Sequence, residues 1–191
     1  MDWEDGIAKI DNESIDLVVT DPPYAMAYRS NRRKRKHMAI KDDDNLFWLD
    51  YWVVELKRVC KPDAHLYIFC SWHNVDVFKK VISQSFNIKN ILIWVKNNHG
   101  SGDLLGDYAP QYEMVIFCSN GLKKLNGNRI SNVLKSPKID STNHPTEKPI
   151  NILRLMIEKS SQRGGGNLRH FCREFFNGEG LQGNRAKLHL F

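Results

Sequence analysis

Cysteine is scarce: the 191 residues hold four, Cys60, Cys70, Cys118 and Cys172, with no Cys-x-x-Cys pair and no regular spacing. That excludes a secreted disulfide scaffold, argues against structural zinc, and makes a reducing cytoplasm the expected compartment. Long apolar runs are also missing. None approaches the roughly 20 residues of a membrane-spanning helix, no charged-then-apolar leader is visible, and a membrane partner is not expected. No repeat recurs at solenoid or propeller spacing, so the chain reads as non-repetitive and long enough to bury a core. With 41% hydrophobic and 26% charged residues, wholesale disorder is excluded as well. What the chain has in excess is positive charge. Its 28 Lys and Arg against 22 Asp and Glu leave a net +6, which makes an anionic partner, most simply nucleic acid, worth testing.

Periodicity supplies the elements. Ile15-Asp-Leu-Val-Val-Thr20 is a short β-branched strand that must stop at Asp21-Pro22-Pro23-Tyr24, because two prolines cannot sit in a central strand. Leu46, Leu49, Trp52, Val53, Leu56 and Val59 recur at helical spacing, and Pro62 ends that helix. Leu66–Cys70 reads as a buried strand, Val75, Phe78, Val81 and Ile82 as a helix, and Ile91–Val95 and Met114–Cys118 as further strands. Strand, helix, strand, helix, strand is the order of an α/β domain with a largely parallel sheet. Thr146 to Ser161 reads as a last helix, capped by Thr146, with Glu147 and Pro149 in its first turn and Ile150, Leu153, Met156 and Ile157 along its apolar stripe. After Ser161 no sustained period is found, so residues 162–191 are expected to form a tail without native order behind a domain of residues 1–161.

The chemistry-bearing segment is Val18-Val-Thr-Asp-Pro-Pro-Tyr24. Ligands of open parallel sheets bind at the carboxyl ends of strands, where Asp21 lies. The prolines hold the Asp21 carboxylate and neighbouring carbonyls as a fixed row of acceptors, and Tyr24 adds a flat ring three residues on. Acceptors beside a stacking platform suit a planar amine-bearing ring such as a nucleobase out of its helix. The residues alone equally allow a plain Pro-Pro turn with Asp21 as its cap.

Asp-Pro-Pro-Tyr after such a strand resembles the catalytic motif of amino-group DNA methyltransferases, the N6-adenine and N4-cytosine enzymes. His144-Pro-Thr-Glu-Lys-Pro149 is similar to the segment that opens a helix beside the S-adenosylmethionine pocket in the permuted, β-type group. Trp94-Val-Lys96 and Tyr112-Glu113 fall where that group has comparable residues. The resemblance covers about Ile7 to Ser161 and implies a three-layer, Rossmann-like methyltransferase sheet. It implies a base flipped from double-stranded DNA, Tyr24 stacked on it, and Asp21 and the Pro22 carbonyl accepting hydrogen bonds from its amino group, with Pro23 stiffening the loop. Acceptors on both N–H bonds favour the pyramidal nitrogen that attacks the methyl group. No metal is implied. Thr146, Glu147, Lys148 and Pro149 would line the cofactor, and Asp in first position is more typical of adenine enzymes. A restriction-modification setting is implied; whether a partner nuclease exists is not.

Arg29, Arg32, Arg33, Lys34, Arg35 and Lys36 form a basic run five residues beyond Tyr24. Such a run is commonly a solvated loop, yet its place beside the base pocket makes it the candidate phosphate contact. Arg129, Lys135 and Lys138, in the short stretch where the permuted group inserts its target-recognition segment, are further DNA candidates or a surface connection. His65, His73 and His99 read as structural or surface residues, and Cys70 and Cys118 as core.

One part of the pattern is missing. The permuted group follows its cofactor-side helix with a strand and an Asp-x-Phe-x-Gly-Ser turn, and Gly164-Gly-Gly166 is no substitute. Codon degeneracy over Asn167–Phe176 permits a one-nucleotide shift that reads IFDIFAGSFS, so a frameshifted or truncated gene is an expectation that its nucleotide sequence tests. Two alternatives to an adenine-N6 enzyme stay open: an RNA or protein-amide methyltransferase, and a non-catalytic nucleic-acid-binding remnant.

Overall fold

The computed structural model describes residues 3–24, 46–100, 105–137, 148–161, 169–172 and 187–190. The elements in chain order are α1 (Trp3–Ile7), β1 (Ile15–Thr20), α2 (Leu49–Val59), β2 (Cys60–Cys70), α3 (Val75–Ile82), β3 (Asn87–Val95), β4 (Tyr112–Ser119), β5 (Val133–Lys135), α4 (Ile150–Ser160), β6 (Arg169–Cys172) and β7 (Lys187–Leu190). The strands form one sheet in the order β5-β3-β4-β2-β1-β6-β7. Among these strands only β4 is reversed, pairing antiparallel with both β2 and β3. The largely parallel sheet read from the element order is therefore present, and β4 folds back from β3 to lie between β3 and β2.

Strand alternation divides the interior into two layers. Val18, Leu66, Ile68, Cys70, Ile116 and Cys118 face α1, α2 and α3, together with Leu49, Trp52, Val53, Leu56, Phe78 and Ile82. The intervening residues Leu17, Val19, Tyr67, Phe69, Val115 and Phe117 face the other way, with Trp94, against Ile152, Leu153 and Met156 of α4. A sheet covered by helices on both faces is the three-layer α/β arrangement.

The element boundaries differ from the sequence reading for local reasons. Leu46–Trp48 form a turn before α2, where the Leu49 amide bonds the Leu46 carbonyl. Pro62 lies in the amino-terminal part of β2, where the β1–β2 register slips between Ile15↔Cys60 and Leu17↔His65; an irregular stretch tolerates a residue without an N–H. Pro149 stands at the N-cap of α4, with extended backbone, and not inside its first turn. Thr146 and its expected cap lie outside the described residues.

The largest difference is in the tail. β6 pairs parallel with β1 (Leu17↔His170, Val18↔Phe171), and β7 pairs parallel with β6. Neither strand has a period that the sequence reveals. The buried strand β1 otherwise has a bare edge on one side, and a four-residue segment satisfies it through backbone hydrogen bonds that need no particular side chain.

Candidate active site

The carboxyl ends of β1, β2, β3, β5 and β6 and the amino end of β4 lie at one end of the sheet, by the pairing directions. Each contributes there because its strand stops. β1 stops at the prolines, so Asp21 leaves the sheet on the same side as Leu17 and Val19. Glu113 shares the side of Val115 and Phe117 and stands opposite Trp94 in the β3–β4 register. Lys96 follows Trp94 by two residues. All three therefore lie on the α4 face, and Lys148 precedes the N-cap of α4 on that face.

The four side chains form a chain of alternating charge. Lys148 Nζ is 2.9 Å from Asp21 Oδ2 and 2.8 Å from Glu113 Oε2, while Lys96 Nζ is 2.7 Å from Glu113 Oε1. Lys148 is 3% exposed, so its ammonium depends on these two carboxylates. The Tyr24 hydroxyl donates to Asp21 Oδ1. Lys148 also lies over two rings, 5.1 Å from the Phe69 centroid and 5.8 Å from that of Tyr24. Each Asp21 oxygen thus has one partner and keeps a second lone pair for an incoming N–H.

Burial pushes the Asp21 carboxyl above its ordinary range; Lys148 and the Tyr24 hydroxyl pull against it, and the nearby Glu113 adds to the rise. For Glu113 burial also acts upward, but Lys148 and Lys96 overcome it and hold the group below its ordinary value. Burial alone would lower Lys148, yet Asp21 and Glu113 hold it above the usual lysine value. The Tyr24 hydroxyl is raised well above 10.0 by burial and by Asp21, so it is a donor at neutral pH. Burial and the neighbouring Asp21 push the Cys70 thiol up to about 12, which leaves it un-ionised and no nucleophile.

The turn after β2 adjoins this site. Asn74 Nδ2 donates to the Tyr24 carbonyl and ties the turn to the Asp-Pro-Pro-Tyr loop. Trp72 is half exposed and stacks on His73 with ring centroids 3.9 Å apart, and His73 Nδ1 is 2.9 Å from Ser71 Oγ. Neither Asn74 nor Trp72 stood out in the sequence; the strand–turn boundary after Cys70 was the available signal. Glu113 and Lys96 were noted there by position only. A charged residue in phase with the apolar side of a strand is the mark that singles them out.

The other expected residues divide. Pro22 is buried and Pro23 half-buried in the loop beside Asp21. Lys148 points to Asp21 and Glu113, and the Pro149 carbonyl accepts from the Ile152 and Leu153 amides at the start of α4. Thr146, Glu147, Lys138 and the basic residues Arg29, Arg32, Arg33, Lys34, Arg35 and Lys36 lie outside the described residues. Lys135 ends β5 at the site's end of the sheet, exposed. Arg129 lies in the connection entering β5 from the opposite end, away from the site. His65 is fully buried, its Nδ1 2.9 Å from Ser160 Oγ and its Nε2 3.1 Å from the Lys123 carbonyl, a structural residue as expected. Among the described residues no group of His, Cys, Asp and Glu could hold a metal ion, and no helix is long and apolar enough to cross a membrane.

Fold and site together define a three-layer α/β domain with a cluster of paired charges and acceptors at the carboxyl end of its sheet. Residues 15–180 match the DNA methylase family, and the chain belongs to this family of amino-methyltransferases. It is similar to the DNA adenine methyltransferase YhdJ of Escherichia coli (strain K12), 26% identical over 208 residues that cover 90% of this chain and 69% of the relative. The M1.HpyAVI–SAM complex has the same fold, with a TM-score of 0.60 at 18% identity over 90% of this chain and 74% of that one. So does the cytosine-N4-specific PvuII DNA methyltransferase, with a TM-score of 0.65 at 15% identity over 87% of this chain and 70% of that one. The chain spans 64% and 57% of the length of two other curated bacterial relatives.

S-adenosylmethionine, the cofactor of the family, tests the site from its other side. Its amino-acid end needs a small-residue turn where backbone can approach closely. Here β6 is followed by Arg173-Glu174-Phe175-Phe176, and the Lys148 ammonium is already held by two carboxylates. The described residues supply the base side of the site; after β6 the sequence carries Arg, Glu and two Phe where the resemblance expects a small-residue turn.

Proposed function

We propose that this chain carries the base-holding half of a DNA adenine-N6 methyltransferase site. The observation that carries the reading is Asp21 at the rigid carboxyl end of β1, aimed by Lys148 and Tyr24, with free lone pairs toward the pocket. A target adenine flipped from duplex DNA would present its amino group to Asp21 and the Pro22 carbonyl and its face to the Tyr24 ring. Hydrogen bonds accepted from both N–H groups localise the lone pair on nitrogen, and the surrounding apolar layer excludes water. Adenine is favoured over cytosine by Asp in the first position of the loop. The exposed Trp72–His73 stack and Lys135 flank the site as DNA contacts, and the basic run from Arg29 to Lys36 supplies further phosphate contacts. Residues 1–161 are the catalytic unit in this reading.

The decisive assay incubates the chain with S-adenosylmethionine and unmethylated genomic DNA, then analyses the nucleosides by mass spectrometry. N6-methyladenine is expected, at a low level because the methionine end of the cofactor is poorly held. N4-methylcytosine would overturn the adenine assignment, and methyl transfer to RNA or protein alone would overturn DNA as substrate. A second reading, a nucleic-acid-binding remnant, is favoured by the sequence after β6, which lacks the Asp-x-Phe-x-Gly-Ser pattern. Quenching of Trp72 fluorescence by duplex DNA, with no methylated nucleoside and no cofactor binding by calorimetry, would establish it.

A further inference from the structure

Glu113 is placed to do more than balance charge. Its Oε1 is held by Lys96 at 2.7 Å, and Lys96 is itself seated over the Trp94 ring at 5.3 Å. Its Oε2 lies 2.8 Å from Lys148 Nζ, a close electrostatic contact without well-directed hydrogen-bond geometry. Lys148 carries a long, flexible stem and sits just before the N-cap of α4, where nothing in the helix itself directs its ammonium. With a single carboxylate partner it could swing; two fixed anions on either side of Nζ leave it one position.

We propose that Glu113 is a positioning residue of the site: braced by Lys96, its carboxylate holds the Lys148 ammonium against Asp21, and so keeps Asp21 an acceptor facing the pocket. This rests on the reading of Asp21 as the amino-group acceptor, since a protonated Asp21 would present an O–H where the reaction needs a lone pair. Glu113 has two opposed effects on Asp21. As a like charge it disfavours the Asp21 carboxylate, and as the anchor of Lys148 it favours it; the anchor dominates if the geometry matters. The groups facing Asp21 are Tyr24 on its own loop, Cys70 at the end of β2, Glu113 on β4 and Lys148 before α4. Tyr24 and Cys70 stay un-ionised around neutral pH, which leaves Lys148 and Glu113 to set the Asp21 charge.

The sign of one titration separates the two effects. The full chain, labelled with carbon-13 at aspartate carboxyls, is titrated by NMR without DNA or cofactor. Lys148→Met identifies the Asp21 signal by moving its midpoint up by roughly one to three pH units, the loss of a close opposite charge. Glu113→Ala is expected to move the same midpoint up by about one pH unit, and Glu113→Gln, whose amide oxygen still accepts from Lys148, is expected to stay at or below the wild-type value. A midpoint that falls or stays put in Glu113→Ala would overturn the proposal, since that is the behaviour of a bare like charge. If Glu113→Ala does not fold, Glu113→Asp keeps the charge but shortens its reach: a rise supports positioning, and an unchanged midpoint overturns it. The titration needs no catalysis. A rise in Glu113→Ala with no methylated nucleoside from the wild type would sink the transferase reading alone, and N6-methyladenine formation with an unmoved midpoint would sink the positioning role alone.

Discussion

Helices cover both faces of the sheet, but the two layers bury different things. On the α2 and α3 side the core is, among the described residues, an apolar cluster without buried charges, with Leu49, Leu56, Ile68, Phe78 and Ile116 fully buried. On the α4 side the apolar layer of Leu17, Phe69, Trp94 and Val115 runs at the carboxyl end of the strands into Asp21, Glu113, Lys96 and Lys148. Burying ions costs desolvation that their mutual attraction only partly returns. The apolar face therefore stabilises the domain so that the α4 face can hold charges in a geometry useful for binding.

The sharpest way to break this contrast is to damage each face in turn. Phe78→Ala, on the apolar side, should cost about 3–5 kcal/mol in urea unfolding, and the Asp21 titration of the folded protein should not move. Lys148→Met, on the charged side, leaves Asp21 and Glu113 without their shared cation and should cost about 3 kcal/mol at pH 7. Its cost should depend on pH. The Glu113 value is lowered in the folded state, so its ion-pair stabilisation is present above its ordinary 4.5 and is lost as the pH falls through the folded value. Melts of the variant and wild type should therefore converge toward acid, and a constant gap between them would contradict the buried ion chain.

Smaller effects sharpen the same picture at the far end of the sheet. His65, neutral and buried between Ser160 and the Lys123 carbonyl, has its value lowered below 6.5, chiefly by burial. Its contribution to stability is present above 6.5 and is lost as the pH falls through the lowered value, because the unfolded chain takes up the proton first. His65→Gln should flatten that part of the acid limb, as read by urea unfolding across the pH range. Tyr67→Phe, which loses the hydroxyl contact to Ser160 at 2.9 Å, should cost about 1 kcal/mol with no pH dependence in the neutral range. The smallest expected effect is on DNA. Lys135→Ala should reduce the salt dependence of duplex binding by about one phosphate contact, and Arg129→Ala, at the opposite end, should leave it unchanged.

Much of the α4-face site was open to sequence reading. Asp21 could be placed because prolines stop a strand, and parity puts Asp21 with Leu17 and Val19, Glu113 with Val115 and Phe117, and Lys96 with Trp94. Local pattern leaves open a segment whose role depends on a distant neighbour. Arg169–Cys172 has no strand period of its own and is a strand because β1 offers it an edge. Lys148, which the resemblance places beside the cofactor, carries its ammonium on a long stem to Asp21 and Glu113. Val133–Lys135 is too short to show any alternation, and pairing with β3 makes it a strand.

By itself the sequence determined the helices α2, α3 and α4, the central strands β1 to β4 and the rigid acceptor loop at the end of β1. These follow from side-chain periodicity and from the missing proline N–H, which are local. Only the tertiary structure decided that Asp21, Lys148, Glu113 and Lys96 meet, that Arg129 does not join them, and that the tail supports β1. Strand order and crossovers bring such remote residues together, and a charge takes the partner that compensates its burial, which no local pattern records.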